Sequence, residues 1–226
     1  MSRESLHTFY RETMDGLSPS ADSAIESLRW RWANGELHEP DVSPEQLMSL
    51  SDGTEIWATH AFHDFERNGF FDHDYRRFLW TNPSRAQTAL TLDVLAGVET
   101  TVLLRAQLID MRKVQSELDH RHAEILRAAG GVSTLPVVLA IQRYFTTLVV
   151  SIGGQELMRR YAGMNKVAVC YAWAQQLQPS DIEDLGDWIV LIPEVIEGKD
   201  GCKAARLCQA IKCLPFGAQL PDLAAA

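Results

Sequence analysis

An all-α fold, an irregular helical bundle built around one long helix at about 83–128, follows from three observations. Apolar residues recur at three- and four-residue steps along most of the chain, and prolines with Asn-Gly and Gly-Gly pairs punctuate these stretches. One apolar β-branched run, DWIVLIPEVIEG at 187–198, has the composition of a strand. A single strand does not make a sheet.

The elements follow in order. Residues 5–16 and 20–34 read as short helices, the second holding Ile25, Leu28, Trp30 and Trp32. NGELHEPDVSPEQ (34–46) is a polar connector with two prolines, leading into a short helix that Ser43 caps with Pro44 at its first position. Helical patterning resumes near Glu55 and ends at Asn68-Gly69, and a further turn or two of helix at 73–80 stops before TNP (81–83). The longest element then runs from about 83 to 128, with Asn82 as N-cap, Pro83 in the first turn and Gly130-Gly131 ending it. Within it Leu104, Leu108, Met111, Gln115, Leu118, His122 and Ile125 recur at alternating four- and three-residue steps, the seam of a left-handed helix pair. Leu104, Leu108, Met111, Leu118 and Ile125 are therefore the candidate self-association face of a homodimer. Over so short a run a 3.5-residue period hardly differs from 3.6, so packing within the chain's own bundle accounts for the same pattern. Helix 135–152 ends at Gly153-Gly154, patterning returns in 155–177, and residues 179–200 carry seven acidic side chains against Lys199. A last helix at about 201–213 precedes a tail, LPDLAAA, expected to fray. Two regions result, an N-terminal helical region at 1–82 and the long helix with a C-terminal bundle at 83–226, unless the two form one continuous domain.

Composition narrows the function. The 226 residues are 46% apolar and 23% charged, globular values in a chain long enough to bury a core. A net charge of −9 argues against general nucleic-acid or anionic-membrane binding, which rests on clustered Lys and Arg, but leaves room for a local basic site. MSRESLHTFYRETMDG contains no apolar stretch of the signal-peptide kind. The most apolar run, LPVVLAIQRYFTTLVVSI at 135–152, carries Gln142 and Arg143 at its centre. A charge there costs roughly 2.5–3.5 kcal/mol in a bilayer, so a buried core helix is expected. Four cysteines read as reduced thiols in the cytoplasm. Cys208 falls with Ala204, Leu207 and Ile211 on an apolar helix face, while Cys202 and Cys213 stand about 16 Å apart along the axis, which does not make a zinc knuckle. No cofactor is expected. No nucleophile elbow, Walker loop or G-x-G-x-x-G is present.

The stretch HAFHDFERNGFFDHD (60–74) concentrates three of the seven histidines. On a helix over 55–68, Trp57, Ala58, Ala61, Phe62 and Phe65 form an apolar arc, with His60, His63, Asp64 and Arg67 on the opposite one. His60, His63 and Asp64 are the candidate metal ligands. Arg67, in the middle of that arc, repels a divalent cation and is placed to pair with Asp64 or Asp74. Asn68-Gly69 reads as a helix C-terminus, followed by Asp72 as an N-cap, His73 at the first position and Asp74 in the first turn of the next helix. The adjacent His63–Asp64 resembles the signature of the HD-domain metal-dependent phosphohydrolases, an all-helical family. The resemblance covers two contiguous residues. It implies His38 as first ligand, His63 and Asp64 as the pair, and Asp110 or Asp119 as the last ligand of one or two divalent metals.

Residues 142–178 form a basic island, with Arg143, Arg159, Arg160 and Lys166 against Glu156. Within it GGQELMRRYAGMNKVAVCYAW (153–173) resembles the helix-turn-helix of phage-repressor-type DNA-binding proteins. Its first helix would be 155–162, its turn Gly163, and its second helix would begin near Asn165, with Met158, Ala162, Met164 and Val169 in apolar contact. The resemblance implies DNA contacts from Arg160, Lys166, Tyr171 and Gln175. Arg159 departs from it, standing where the motif takes a small residue. The alternative is a plain helical hairpin whose basic face meets the acidic 179–200 segment.

The sequence thus predicts a cytoplasmic helical protein acting by macromolecular interaction, an adaptor or regulator whose partner is another protein, a second copy of itself, or DNA through 155–176. The competing class is a divalent-metal phosphohydrolase using His63 and Asp64. No membrane partner is expected.

Overall fold

The computed structural model describes residues 11, 14, 17, 22–37, 41–74, 77–81, 84–106, 108, 110–131, 133–198 and 200–216. Among them the chain is predominantly α-helical with one two-stranded sheet, the expected class. The helix expected at 5–16 falls outside the described residues but for Arg11 and Met14, and His38, the Asn82-Pro83 cap and the tail from 217 lie outside them too.

The N-terminal part is built from local signals. Helix α1 (Ser23–Ala33) starts at Asp22, whose carboxylate accepts from the Ala24 and Ile25 N–H groups at 2.9 and 3.2 Å. Helix α2 (Pro44–Ser51) starts at Ser43 with proline at its first position, as expected. Helix α3 (Glu55–Arg67) is capped by Thr54 and buries Ala58, Ala61, Phe62 and Phe65.

The helical turn expected at 73–80 is instead a β-hairpin. Strands β1 (Phe71–Asp74) and β2 (Arg77–Trp80) pair antiparallel, Phe71 opposite Trp80 and His73 opposite Phe78. The physical reason is aromatic packing. Phe71, Phe78 and Phe62 meet with ring centroids 4.8–5.4 Å apart, and Trp80 closes on Phe65 at 5.7 Å. Period-two alternation delivers these rings to one face, where a helix would scatter them. Asp72 and His73 are therefore exposed strand residues rather than a cap and a first helical position.

The long helix expected at 83–128 is two helices, α4 (Arg85–Ala106) and α5 (Arg112–Ala129). One helix of that length would reach about 69 Å, far beyond the roughly 17 Å radius of gyration of a chain this size. Breaking it lets α4 pack along α10 (Gly201–Cys213) while α5 packs on α6 (Thr134–Ile152) and α9 (Pro179–Gly198). Asp110 marks the new start, accepting from the Arg112 N–H at 3.1 Å and from its guanidinium at 2.7 Å.

Helix α6 is the centre of the bundle, with thirteen of its nineteen residues buried. It is long and apolar enough to cross a membrane by length and composition, but it is mostly buried among α4, α5, α7 (Gln155–Met164) and α8 (Val167–Gln176). The one strand-like run, 187–198, is helical within α9, where Trp188, Ile189, Ile192 and Val195 face the core at helical spacing around Pro193. Cys208 is fully buried beside Ala204, Leu207 and Ile211 on α10. The N-terminal part docks on the bundle through α1, which packs on α8.

Candidate nucleic-acid interface

Helices α2 and α3 pack on each other across a three-residue turn, and the β-hairpin follows at once. That order is a helix-turn-helix with a hairpin wing. Each joint has a local cause. Asp52 ends α2 in the left-handed conformation, φ 53°, a state open to Asp at small cost. Gly53 has no room for a side chain: a Cβ there would lie 2.4 Å from Cε3 of Trp57. The Trp57 ring cannot swing clear, because its Nε1 donates to Asp22 at 2.6 Å. Val42 adds an extended edge, its N–H donating to the Phe78 carbonyl at 2.7 Å.

With Ala58, Ala61, Phe62 and Phe65 inward, α3 turns Glu55, Ile56, Thr59, His60, His63, Glu66 and Arg67 to the surface. Ile56 is 85% exposed near the start of the helix, where the second helix of such a motif meets base edges. The hairpin adds exposed Asp72, His73 and Arg77 beside it. The surroundings are acidic. Residues 1–82 carry 15 Asp and Glu against 7 Lys and Arg, and residues 83–226 carry 15 against 14.

The candidate metal ligands are all on α3, but not as a site. Asp64 accepts from Arg29 at 2.7 Å, from Asn68 at 3.0 Å and from Arg67 at 3.5 Å. Burial works against the Arg29 charge, yet Asp64 and Tyr171 raise its pKa above the usual guanidinium value. His60 and His63 are exposed, and His63 lies 3.6 Å from Glu66. Among the described residues no three His, Cys, Asp or Glu side chains are placed to hold a metal ion. Of the other residues the HD resemblance implied, Asp110 is paired with Arg112 and Asp119 accepts from Gln115 at 2.8 Å.

The 155–176 segment forms the expected helix pair, α7 and α8, but α8 is an interior helix. Val167, Ala168 and Cys170 through Ala174 are buried, and Tyr171 gives its hydroxyl to Glu26 with its ring on Trp30. Helix α8 packs against α1, α4 and α6, which cover most of its length. Of the four expected DNA contacts, Arg160 is exposed but bound to Glu156 at 2.9 Å, Gln175 is exposed, Lys166 is half-buried against the end of α3, and Tyr171 is core.

The self-association set divides likewise. Leu118 and Ile125 are buried in the bundle and Met111 packs half-buried against it, whereas Leu104 and Leu108 are 39% and 85% exposed. Of the exposed pair, Leu104 lies on a stripe along α4 with Leu90, Val94, Gly97 and Thr101 at alternating four- and three-residue steps, and Leu108 stands in the turn beyond the helix.

A second polar constellation, unmarked by any motif, lies inside the bundle. Lys212 of α10 reaches Glu99 of α4 at 3.0 Å and Gln142 of α6 at 2.8 Å, and the Tyr161 hydroxyl donates to Glu99 at 2.9 Å. Burial pushes the Glu99 carboxyl above the usual range against the pull of Lys212 and Tyr161. Glu99 Oε2 and Gln142 Nε2 have no hydrogen-bond partner.

No protein-family model matches the chain, and no curated protein matches it. A transcriptional regulator of the GntR family from Pseudomonas syringae pv. tomato str. DC3000 reaches a TM-score of 0.36 at 14% identity over 95% of this chain and 97% of that one, too low to show a shared fold. Two solved structures do show one. Lar, which controls the expression of the Listeria monocytogenes agr system and mediates virulence, superposes with a TM-score of 0.63 at 12% identity, covering 85% of this chain and 92% of that one. The E. coli protein McbR/YncC gives 0.57 at 9% identity, covering 85% and 93%, so this chain is similar to both in fold.

Proposed function

We propose that the chain is a gene regulator that binds duplex DNA through α3 and the hairpin. The observation that carries this is the exposed face of α3, presented by a glycine-locked turn and flanked by a wing. The fold shared with Lar, itself a controller of expression, supports it. Thr59, His60 and His63 offer hydrogen-bonding groups to base edges, and Arg67 and Arg77 offer charge to phosphates. The α4 stripe of Leu90, Val94 and Leu104, with Leu108 in the turn after it, is where two copies join.

Fluorescence anisotropy with labelled duplexes at about 50 mM salt tests the proposal, where binding in the micromolar range or tighter is expected. Thr59→Glu with His63→Glu should weaken it at least about tenfold, since each adds a negative charge at the groove, while Arg160→Glu on α7 should leave it unchanged. Absence of any duplex complex at low salt overturns this function. The acid surplus of residues 1–82 favours a second use of the same face, docking on a basic protein, and a duplex-negative result leaves that one standing.

A further inference from the structure

A cavity of about 460 Å³ lies where the helix-turn-helix part meets the bundle, within the size range of small-molecule sites. Trp32, Phe71 and Val169 supply apolar wall, and six polar residues also line it, Thr88, Lys166, Glu66 and Asp72 among them.

Thr88 is the informative one. It is 2% exposed and its hydroxyl has no hydrogen-bond partner among the described residues. Five other helical threonines satisfy themselves on the carbonyl four residues back: Thr59, Thr91, Thr101, Thr146 and Thr147 do so at 2.7–3.0 Å. Thr88 does not, and a buried hydroxyl left unpaired is destabilising unless something in the cavity meets it.

Lys166 lines the cavity and stands at the N-cap of α8, which has no side-chain cap, so it brings a cation beside the positive end of a helix dipole. The ammonium contacts the Arg67 carbonyl at 3.3 Å and forms no ion pair among the described residues. Glu66 and Asp72 bring negative charge to the same cavity. The lining therefore offers a cation to a carboxylate and carboxylates to an ammonium, beside apolar wall.

We propose that this cavity binds a free L-α-amino acid, its carboxylate on Lys166 and the α8 N-terminus with Thr88 donating to it, and its ammonium on Glu66 and Asp72. The site adjoins the end of α3. Ala168 donates to the Asn68 carbonyl at 3.1 Å, and a Cβ on Gly69 would stand 3.0 Å from that of Lys166. A carboxylate on Lys166 competes with the Arg67 carbonyl and so acts on the helix assigned to DNA. The inference rests on the duplex function for that coupling alone, and binding is measured without DNA.

The test is a thermal-shift screen of the full chain against the twenty proteinogenic L-amino acids at about 10 mM, followed by calorimetry on the best. At least one should raise Tm by roughly 3–6 °C, and its N-acetyl derivative and its decarboxylated amine should not. Lys166→Met should weaken that amino acid at least about tenfold and Thr88→Val a few-fold. Failure of all twenty to shift Tm overturns the proposal and assigns the cavity to water. Equal binding of the one-ended analogues by the parent protein also overturns it, whatever the variants' folding.

Discussion

Lys212 and Glu99 form an ion pair with both side chains at 0% exposure, and Lys212→Met isolates what the pair does for the fold. Methionine keeps most of the lysine stem while removing the ammonium, and with it the cation–π contacts on Phe145 and Trp173. Glu99 is then stranded with one hydrogen bond from Tyr161 and an Oε2 that has no partner even in the parent. Removing one member of a buried pair costs about 3–5 kcal/mol, whereas replacing both is often close to neutral. In a chain of this length 1 kcal/mol moves Tm by about 2–4 °C, so the single variant should melt roughly 6–20 °C below the parent and Lys212→Met/Glu99→Gln should recover most of that. The pH dependence has a definite sign. Because the folded pKa of Glu99 is raised above 4.5, its contribution to stability is full below that value and is lost as pH rises through the folded one. Without Lys212 the folded pKa climbs further, so the variant's deficit should be larger at about pH 8 than at about pH 5.5. Urea unfolding at both values measures this. Equal deficits at the two, or a double variant no more stable than the single, refutes the reasoning.

Gly53→Ala should destabilise by about 1–3 kcal/mol in urea unfolding, because the new methyl meets a Trp57 ring pinned by Asp22, and a neutral result would show that the ring can move. Arg29→Met should cost about 2 kcal/mol by the same assay, since it leaves the Asp64 carboxylate at the interface between α1 and α3 without its closest cation. Duplex affinity should fall with salt at a log–log slope of only about −4 for a dimer, from Arg67 and Arg77 of each copy, and a slope near −10 would point to a basic surface elsewhere.

Much of this was written in the sequence at short range. The cap at Ser43, the apolar arc of α3 and the cysteine-bearing face of α10 follow from spacing alone. The hairpin was hidden because FDHDYRRFLW satisfies a helix start as well as a strand pair. Asp72 is a good N-cap, and only the meeting of Phe62, Phe71 and Phe78 in space decides against it. The same kind of fact selects the helix proposed to read DNA. Both 44–67 and 155–176 have helix-turn-helix spacing, and what separates them is which helix is covered, a property of α1 and α6 rather than of α8 itself. A usable signal did exist in Asp52-Gly53-Thr54 between two apolar helices. The Glu99–Lys212 pair had none, since its members stand 113 positions apart.

Under the proposed function, the charge distribution makes the α4 stripe and the α3 face two halves of one requirement. A single copy brings two exposed arginines, each already near a carboxylate, to a backbone that repels a unit with 15 acidic residues. One such contact set is worth little at physiological salt. Two copies joined through α4 make the second contact intramolecular, and avidity can then exceed either affinity by about 10²–10⁴ without a new contact. Leu108→Glu, on a side chain 85% exposed and remote in sequence from α3, should therefore leave the fold intact, give a monomer by light scattering, and lower duplex affinity by at least about a hundredfold. A monomeric variant that holds duplex as well as the parent would show that one α3 face suffices, and the stripe would then need another explanation.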